Sequence, residues 1–235
     1  MLQKSSSREW KDIMRVTINQ PLPFAPAYLI NRMLRSDLCI SLGSAQFVRG
    51  QHNRYKILSR GATQELVIPV KHYGTQKVEL VKAEIDYSHN WTRKHLRSIQ
   101  QVYSKTPFFD EIYEMVEKHF AQKYPTIGEF ALFSMLRVYD ILNVEWNVKP
   151  DQSLGLPVLH DPSAWMLSLA NMVLADEYFC GQWAIENYLR VEDFKKDGIN
   201  VIGQKWYPDT VGAEVSVLDA LFKHGKLALA LLDTH

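Results

Sequence analysis

Side chains able to do chemistry crowd into residues 91–109. Trp91, Thr92, Arg93, Lys94, His95, Leu96, Arg97, Ser98 and Ile99 are followed by Tyr103 and then by Pro107, Phe108 and Phe109. The densest part of this stretch fits into about three helical turns. At about 100° per residue, Trp91, Leu96, Ile99, Val102 and Tyr103 share one arc, and His95 lies inside it. Arg93, Lys94 and Arg97 fall outside that arc. A cationic rim beside an apolar face that holds a histidine suits a polar or anionic ligand. In this reading Trp91 and Tyr103 line a pocket and Lys94 and Arg97 clamp a phosphate or carboxylate. His95, kept neutral by nearby cations, takes a proton. The plain alternative weighs as much: a buried His95 tied to a backbone carbonyl, beside a solvated basic helix face.

Other candidates sit where predicted strands end. Gln20 follows the first predicted strand, in a loop that leads into a helix. Asn53 and Arg54 follow a loop after the second, and a fork-shaped guanidinium there suits a pyrophosphate. An Arg–Asp structural pair is the competing reading of Arg54. Gly181 permits close approach of backbone to a ligand. Cys180 beside it reads as a packed thiol rather than a nucleophile. Asp219 is a helix-borne carboxylate, either facing the site as a catalytic group or pairing with a lysine. His72, His89, His119 and His160 are scattered and read as surface or loop residues. No HExxH or GxSxG motif and no paired metal-ligand spacing occurs, and the sequence names no cofactor.

The elements that must position these groups follow from periodicity and breakers. A strand is expected at 14–19, then a loop with three prolines, a helix from Pro26 to Ser36 and a strand at 38–42. That βαβ unit implies a parallel pair. Short strands are expected at 55–58, 65–70 and 78–85, and helices at 91–105, 108–122 and 126–143. A loop over 147–156 leads to a helix at 162–175, capped by Asp161. A strand at 177–180, helices across 182–197, a strand at 200–202 and a helix from 216 complete the chain. The class is α/β, a small mixed or parallel sheet built from βαβ units with a helical insert. Residues 1–12 read as a polar tail, and 13–235 as one domain with a helical subdomain at about 91–175.

Composition narrows the classes. Apolar residues make up 46% of the 235, enough for a substantial core, and the net charge is +1. No global field draws nucleic acid, so anion binding must be local. The two cysteines lack CxxC spacing. The start of the chain has no apolar signal region, and no apolar run reaches membrane-spanning length. A cytoplasmic protein without a transmembrane segment is expected, and a homo-oligomer remains compatible with the sequence.

Several blocks in order resemble the WbqC-like family of bacterial surface-polysaccharide gene clusters. Asn19-Gln20-Pro21 with Pro26 and Leu29 resembles its opening "HQP…P", and Gln46-Phe47 with Asn53-Arg54-Tyr55-Lys56-Ile57 its "QF…NRN-x-I". Leu66-Val67-Ile68-Pro69-Val70 is similar to "LTVPV", and the Trp91 to Phe109 block is the closest match. Asp176-Glu177-Tyr178-Phe179-Cys180-Gly181 with Tyr188-Leu189, and Val215 to Gly225, resemble the closing blocks. Asn19 stands where the family usually has His, and Gly43-Ser44 where it commonly has an acidic pair. The resemblance implies a role in building or decorating sugars of O-antigen or a related glycan. Joined to the residue reading, it suggests an enzyme acting on a nucleotide- or lipid-linked amino sugar by acyl or aminoacyl transfer. Its partners would be a nucleotide sugar or another phosphorylated small molecule and an acyl donor. The rival reading is a non-catalytic sugar- or nucleotide-binding scaffold of the assembly machinery.

Overall fold

The computed structural model describes residues 13–59, 61–205 and 214–232, so the tail expected at 1–12 lies outside the described residues. Strand β1 (Arg15–Asn19) contributes Val16, Thr17 and Ile18, all buried. A β-branched run buried on both faces is what a central parallel strand requires. Helix α1 (Ala27–Leu34) buries Ala27, Leu29, Ile30 and Met33 and returns the chain to β2 (Leu38–Ser41), every residue of which is buried. The expected βαβ unit is present, with β1 and β2 parallel.

An antiparallel hairpin of β3 (Arg54–Ser59) and β4 (Ala62–Val67) forms a separate two-stranded sheet. The strand expected at 78–85 is instead a 3₁₀ turn at Leu80–Lys82, with isolated bridges on either side. Three long helices follow: α2 (Trp91–Tyr103), α3 (Phe109–Ala121) and α4 (Ile127–Leu142). Thr126 caps α4 by accepting from the Glu129 N–H, as its spacing to that glutamate predicts. The first turn of α4 lies on the 3₁₀ turn so closely that a Cβ at Gly128 would sit 2.8 Å from the Leu80 carbonyl.

Residues expected to be loop near 147–156 contain β5 (Val148–Pro150), which pairs parallel with β2. Pro150 is tolerated because β5 is an edge strand. Helix α5 (Pro162–Met172) begins at its Asp161 cap. The chain then runs through β6 (Glu177–Gly181), α6 (Gln182–Asn187), α7 (Val191–Lys196) and β7 (Asn200–Gln204). It closes with α8 (Leu218–His224) and α9 (Ala228–Leu232).

The main sheet has the order β5-β2-β1-β6-β7 and is parallel throughout. From β1 the chain crosses toward β2, whereas from β6 it crosses the other way to β7. The crossover direction therefore reverses between β1 and β6. Their ladder pairs only Arg15 with Glu177 and Val16 with Tyr178. Beyond those pairs both strands continue, to Asn19 and Gly181, without pairing to each other. A crevice thus opens at their carboxyl ends, the place where ligands gather in open α/β sheets.

Candidate functional site at the switch point

The crevice widens into a cleft of about 1390 Å³. Its floor is made by strand ends: Asn19 and Gln20 from β1, Cys180 and Gly181 from β6, and Gln204 from β7. Arg32 of α1 reaches into it. Side chains on a helix lean toward its N-terminus, and here that direction carries the guanidinium to the three strand ends. Nη1 donates to Asn19 Oδ1 at 2.8 Å, while Nε and Nη2 donate to Gln204 Oε1 at 3.0 and 2.8 Å. Gln204 is itself fixed, because its amide nitrogen donates to the Tyr28 carbonyl at 2.8 Å and to Asn31 Oδ1 at 2.6 Å. Asn19 is fixed by donating to Thr17 Oγ1 at 2.8 Å.

Burial lowers the Arg32 pKa from its ordinary value, opposed by Tyr178, Tyr28, Cys180 and Cys39. Those four neighbours are uncharged near neutral pH. Burial raises both tyrosines above their usual range and pushes the Cys39 and Cys180 thiols up to about 12 and about 11. Neither cysteine is therefore a thiolate nucleophile at neutral pH. A guanidinium keeps its proton in proteins, so Arg32 is a cation among neutral dipoles.

Gln20 is aimed by a residue the sequence did not single out. The Val48 N–H donates to His52 Nδ1 at 2.8 Å, so the proton sits on Nε2, which contacts Gln20 Oε1 at 2.8 Å. The Gln20 amide nitrogen remains for the cleft. Burial holds the His52 pKa down to about 4. The loop between Gln20 and α1 is pinned by Phe24, which is fully buried, has φ of 40° and donates its N–H to Ser134 Oγ at 2.8 Å.

The lining is chemically mixed. Arg54, Lys56 and Lys77 line the cleft. Arg54 pairs with Glu65 at 2.7 Å and Lys56 pairs with Glu214. Such exposed pairs are worth about 0–1 kcal/mol and yield readily to a competing anion. Opposite in character are Leu22, Val158, Leu159, Trp165, Met166 and Trp183. Trp183 is 68% exposed, with its ring 5.9 Å from that of Tyr188. His160 also lines the cleft.

The convergence expected around α2 is not found. The amphipathic arc itself is real, since Trp91, His95, Ile99 and Tyr103 are all buried. The arc faces the core, however, and His95 is packed edge-on against Tyr55, Trp91 and Phe120. His95 Nε2 contacts the Val67 carbonyl at 3.1 Å and must donate to it, so Nδ1 accepts from the Tyr55 hydroxyl at 3.1 Å. Burial takes its pKa down to about 4. Its one lone pair is occupied, and it does not open into the cleft. Lys94 and Arg97 are exposed on the far side of the helix. Tyr103 donates to Asp219 Oδ1 at 3.2 Å, and the other oxygen of Asp219 holds Lys223 at 2.7 Å. The lysine-pairing reading of Asp219 is the one realised, one turn along α8. Asn53 is buried and braces its own loop, accepting from the Gly50 N–H and donating to the Ile68 carbonyl. Of the expected residues, Gln20, Arg54 and Gly181 line the cleft; His95, Asp219, Asn53, Trp91, Lys94, Arg97 and Tyr103 do not. His119 is also corrected: it is buried among Phe24, Tyr124 and Phe130, not on the surface.

Sequence reasoning missed Arg32, His52, Gln204 and Trp183. A signal existed for Gln204, which stands two residues past a predicted strand; no motif marks Arg32, His52 or Trp183.

Residues 20–230 match the WbqC-like protein family. The chain belongs to that family. No curated protein and no solved structure matches the chain. The match takes in β6, β7 and most of the cleft, so the switch-point site lies within the WbqC-like region itself. Among the described residues, no helix is long and apolar enough to cross a membrane. No group of three or more His, Cys, Asp or Glu side chains there is placed to hold a metal ion.

Proposed function

We propose that this WbqC-like chain is an enzyme that modifies a phosphate-linked amino sugar in surface-polysaccharide assembly, by transfer of an acyl or aminoacyl group. The observation that carries the reading is the cleft at the carboxyl ends of β1, β6 and β7, whose lining combines the cations Arg32, Arg54, Lys56 and Lys77 with aromatic and aliphatic side chains. An amphipathic ligand of sugar, phosphate and apolar portion matches such a lining. A sugar ring has one apolar face suited to the exposed Trp183 indole, and amides such as Gln20, Gln46 and Gln51 suit its hydroxyls. His160, the imidazole that lines the cleft, takes the place of His95 as the candidate proton acceptor for the attacking amine.

A second reading has its own support. The polar lining includes the amides of Asn19, Gln20, Gln46, Gln51, Gln182 and Gln204. Amides hydrogen-bond well but do not exchange protons at neutral pH. A protein that holds a phosphorylated sugar without transforming it would be lined in this way.

Incubation with a panel of amino-sugar nucleotides and acyl or aminoacyl donors, followed by mass spectrometry, separates the two. A product heavier by the acyl group supports the enzyme. Saturable binding with no mass change in any product supports the holding protein.

A further inference from the structure

We propose that Arg32, against the bare backbone of Gly181, is the seat of a phosphoryl group. This deepens the proposed function and rests on that reading for the sugar, though not for the anion.

The first argument is the absence of a counter-charge. Among the described residues, no carboxylate lies within ion-pairing distance of Arg32, whereas Arg15, Arg54, Arg137 and Arg190 all have one. Removing a guanidinium from water is costly unless a charge answers it. Asn19 and Gln204 supply only neutral dipoles. They orient the group without neutralising it, which is how a protein prepares a cation for an anion that arrives later.

The second argument is donor accounting. A guanidinium has five N–H donors. Three are used, two on Gln204 and one on Asn19. One N–H on each terminal nitrogen is left, a pair suited to two oxygens of one anion.

The third argument is space. A Cβ on residue 181 would lie 2.9 Å from Arg32 Nη2, 3.5 Å from Cζ and 3.6 Å from Nη1. Gly181 has no positive φ that would demand glycine. What requires it here is clearance beside the guanidinium. Arg54, Lys56 and Lys77 line the same cleft, which favours a phosphoryl group with more than one negative charge over a lone carboxylate.

The test is calorimetric titration of the full chain with uridine diphosphate, glucose 1-phosphate, inorganic phosphate and malonate. The first three separate a nucleotide, a sugar phosphate and the free anion as sources of the phosphoryl group; malonate offers carboxylates alone. The wild-type chain is expected to bind at least one phosphoryl probe saturably and malonate at least about tenfold more weakly. Arg32→Gln, Arg32→Lys and Gly181→Ala should each weaken the phosphoryl probe about tenfold or more, the lysine variant because it keeps charge and loses the fork. Arg97→Gln, on the exposed face of α2 and outside the cleft, should leave it unchanged. If Arg32→Gln does not fold, Gly181→Ala, which retains the arginine, decides. Parental affinity in a folded Arg32→Gln or in Gly181→Ala, malonate binding as tightly as the phosphoryl probes, or no phosphoryl binding at all overturns the assignment. A chain that binds through Arg32 yet modifies no sugar keeps this site and loses the proposed reaction. A chain that modifies sugars equally well with Arg32→Gln does the reverse.

Discussion

His52 Nε2 donates to Gln20 Oε1 at 2.8 Å, and that one bond fixes the orientation of a side chain that lines the cleft. The imidazole is held in the required tautomer by the Val48 N–H on its other nitrogen. His52→Ala should leave Gln20 free to rotate. Ligand affinity should fall roughly threefold to tenfold, the value of one oriented hydrogen bond. Titration of a nucleotide sugar into the variant checks this. Affinity equal to the parent would show that Gln20 takes no part in binding.

His95 gives the opposite expectation. Its ring bridges the Tyr55 hydroxyl and the Val67 carbonyl inside an aromatic cluster. His95→Ala should destabilise the fold by about 2–4 kcal/mol, from lost packing and two stranded polar groups. Urea unfolding measures the loss. Ligand affinity per folded molecule should be unchanged, and a loss of activity in fully folded variant would restore His95 to the site.

Phe24 holds the loop that leads from β1 to the cleft. It is buried in a left-handed conformation, 5.0 Å from the Tyr55 ring and 5.8 Å from that of Phe130. Phe24→Ala should cost about 3–5 kcal/mol. Because Gln20 belongs to the same loop, ligand affinity should fall as well. Thermal unfolding and titration on one preparation test both effects.

Acid should loosen this protein through three histidines. Burial holds His52 and His95 at about 4 and His119 at about 3, all below the ordinary histidine value. Each is neutral when folded and takes a proton when unfolded below about pH 6.5. The unfolded state then binds more protons, so stability is complete above that pH and falls as pH drops toward the folded values. Between about pH 6.5 and 5 each histidine contributes a loss of about 2 kcal/mol at most. Urea midpoints measured from pH 8 to pH 5 should be flat at first and then decline. His119→Phe, which replaces a buried imidazole with a ring that takes no proton, should soften the decline.

The core of the sheet was legible because its determinants are local. Val16, Thr17 and Ile18 announce a buried strand, three prolines announce the loop after it, and the spacing of Trp91, Ile99 and Tyr103 announces a helix with one buried face. The site was harder to read. An arc containing Trp91 and His95 looks the same whether it faces a core or a ligand, because both surroundings take aromatic rings. Arg32 sits between two buried residues of a short helix and carries no motif. Its meaning comes from Asn19, 13 residues before it, and Gln204, 172 residues after it. Periodicity cannot report contacts at that separation. The strand β5 was missed because three residues ending in proline resemble a loop until β2 is there to pair with them.

A crystal structure of the chain grown with a nucleotide sugar tests the location of the functional centre most directly. A phosphate oxygen within hydrogen-bonding distance of the Arg32 guanidinium, with the sugar between Gln20 and Trp183, is the predicted result. Density for the ligand against Trp91, Lys94 and Arg97, with the switch-point cleft holding only water, would contradict it.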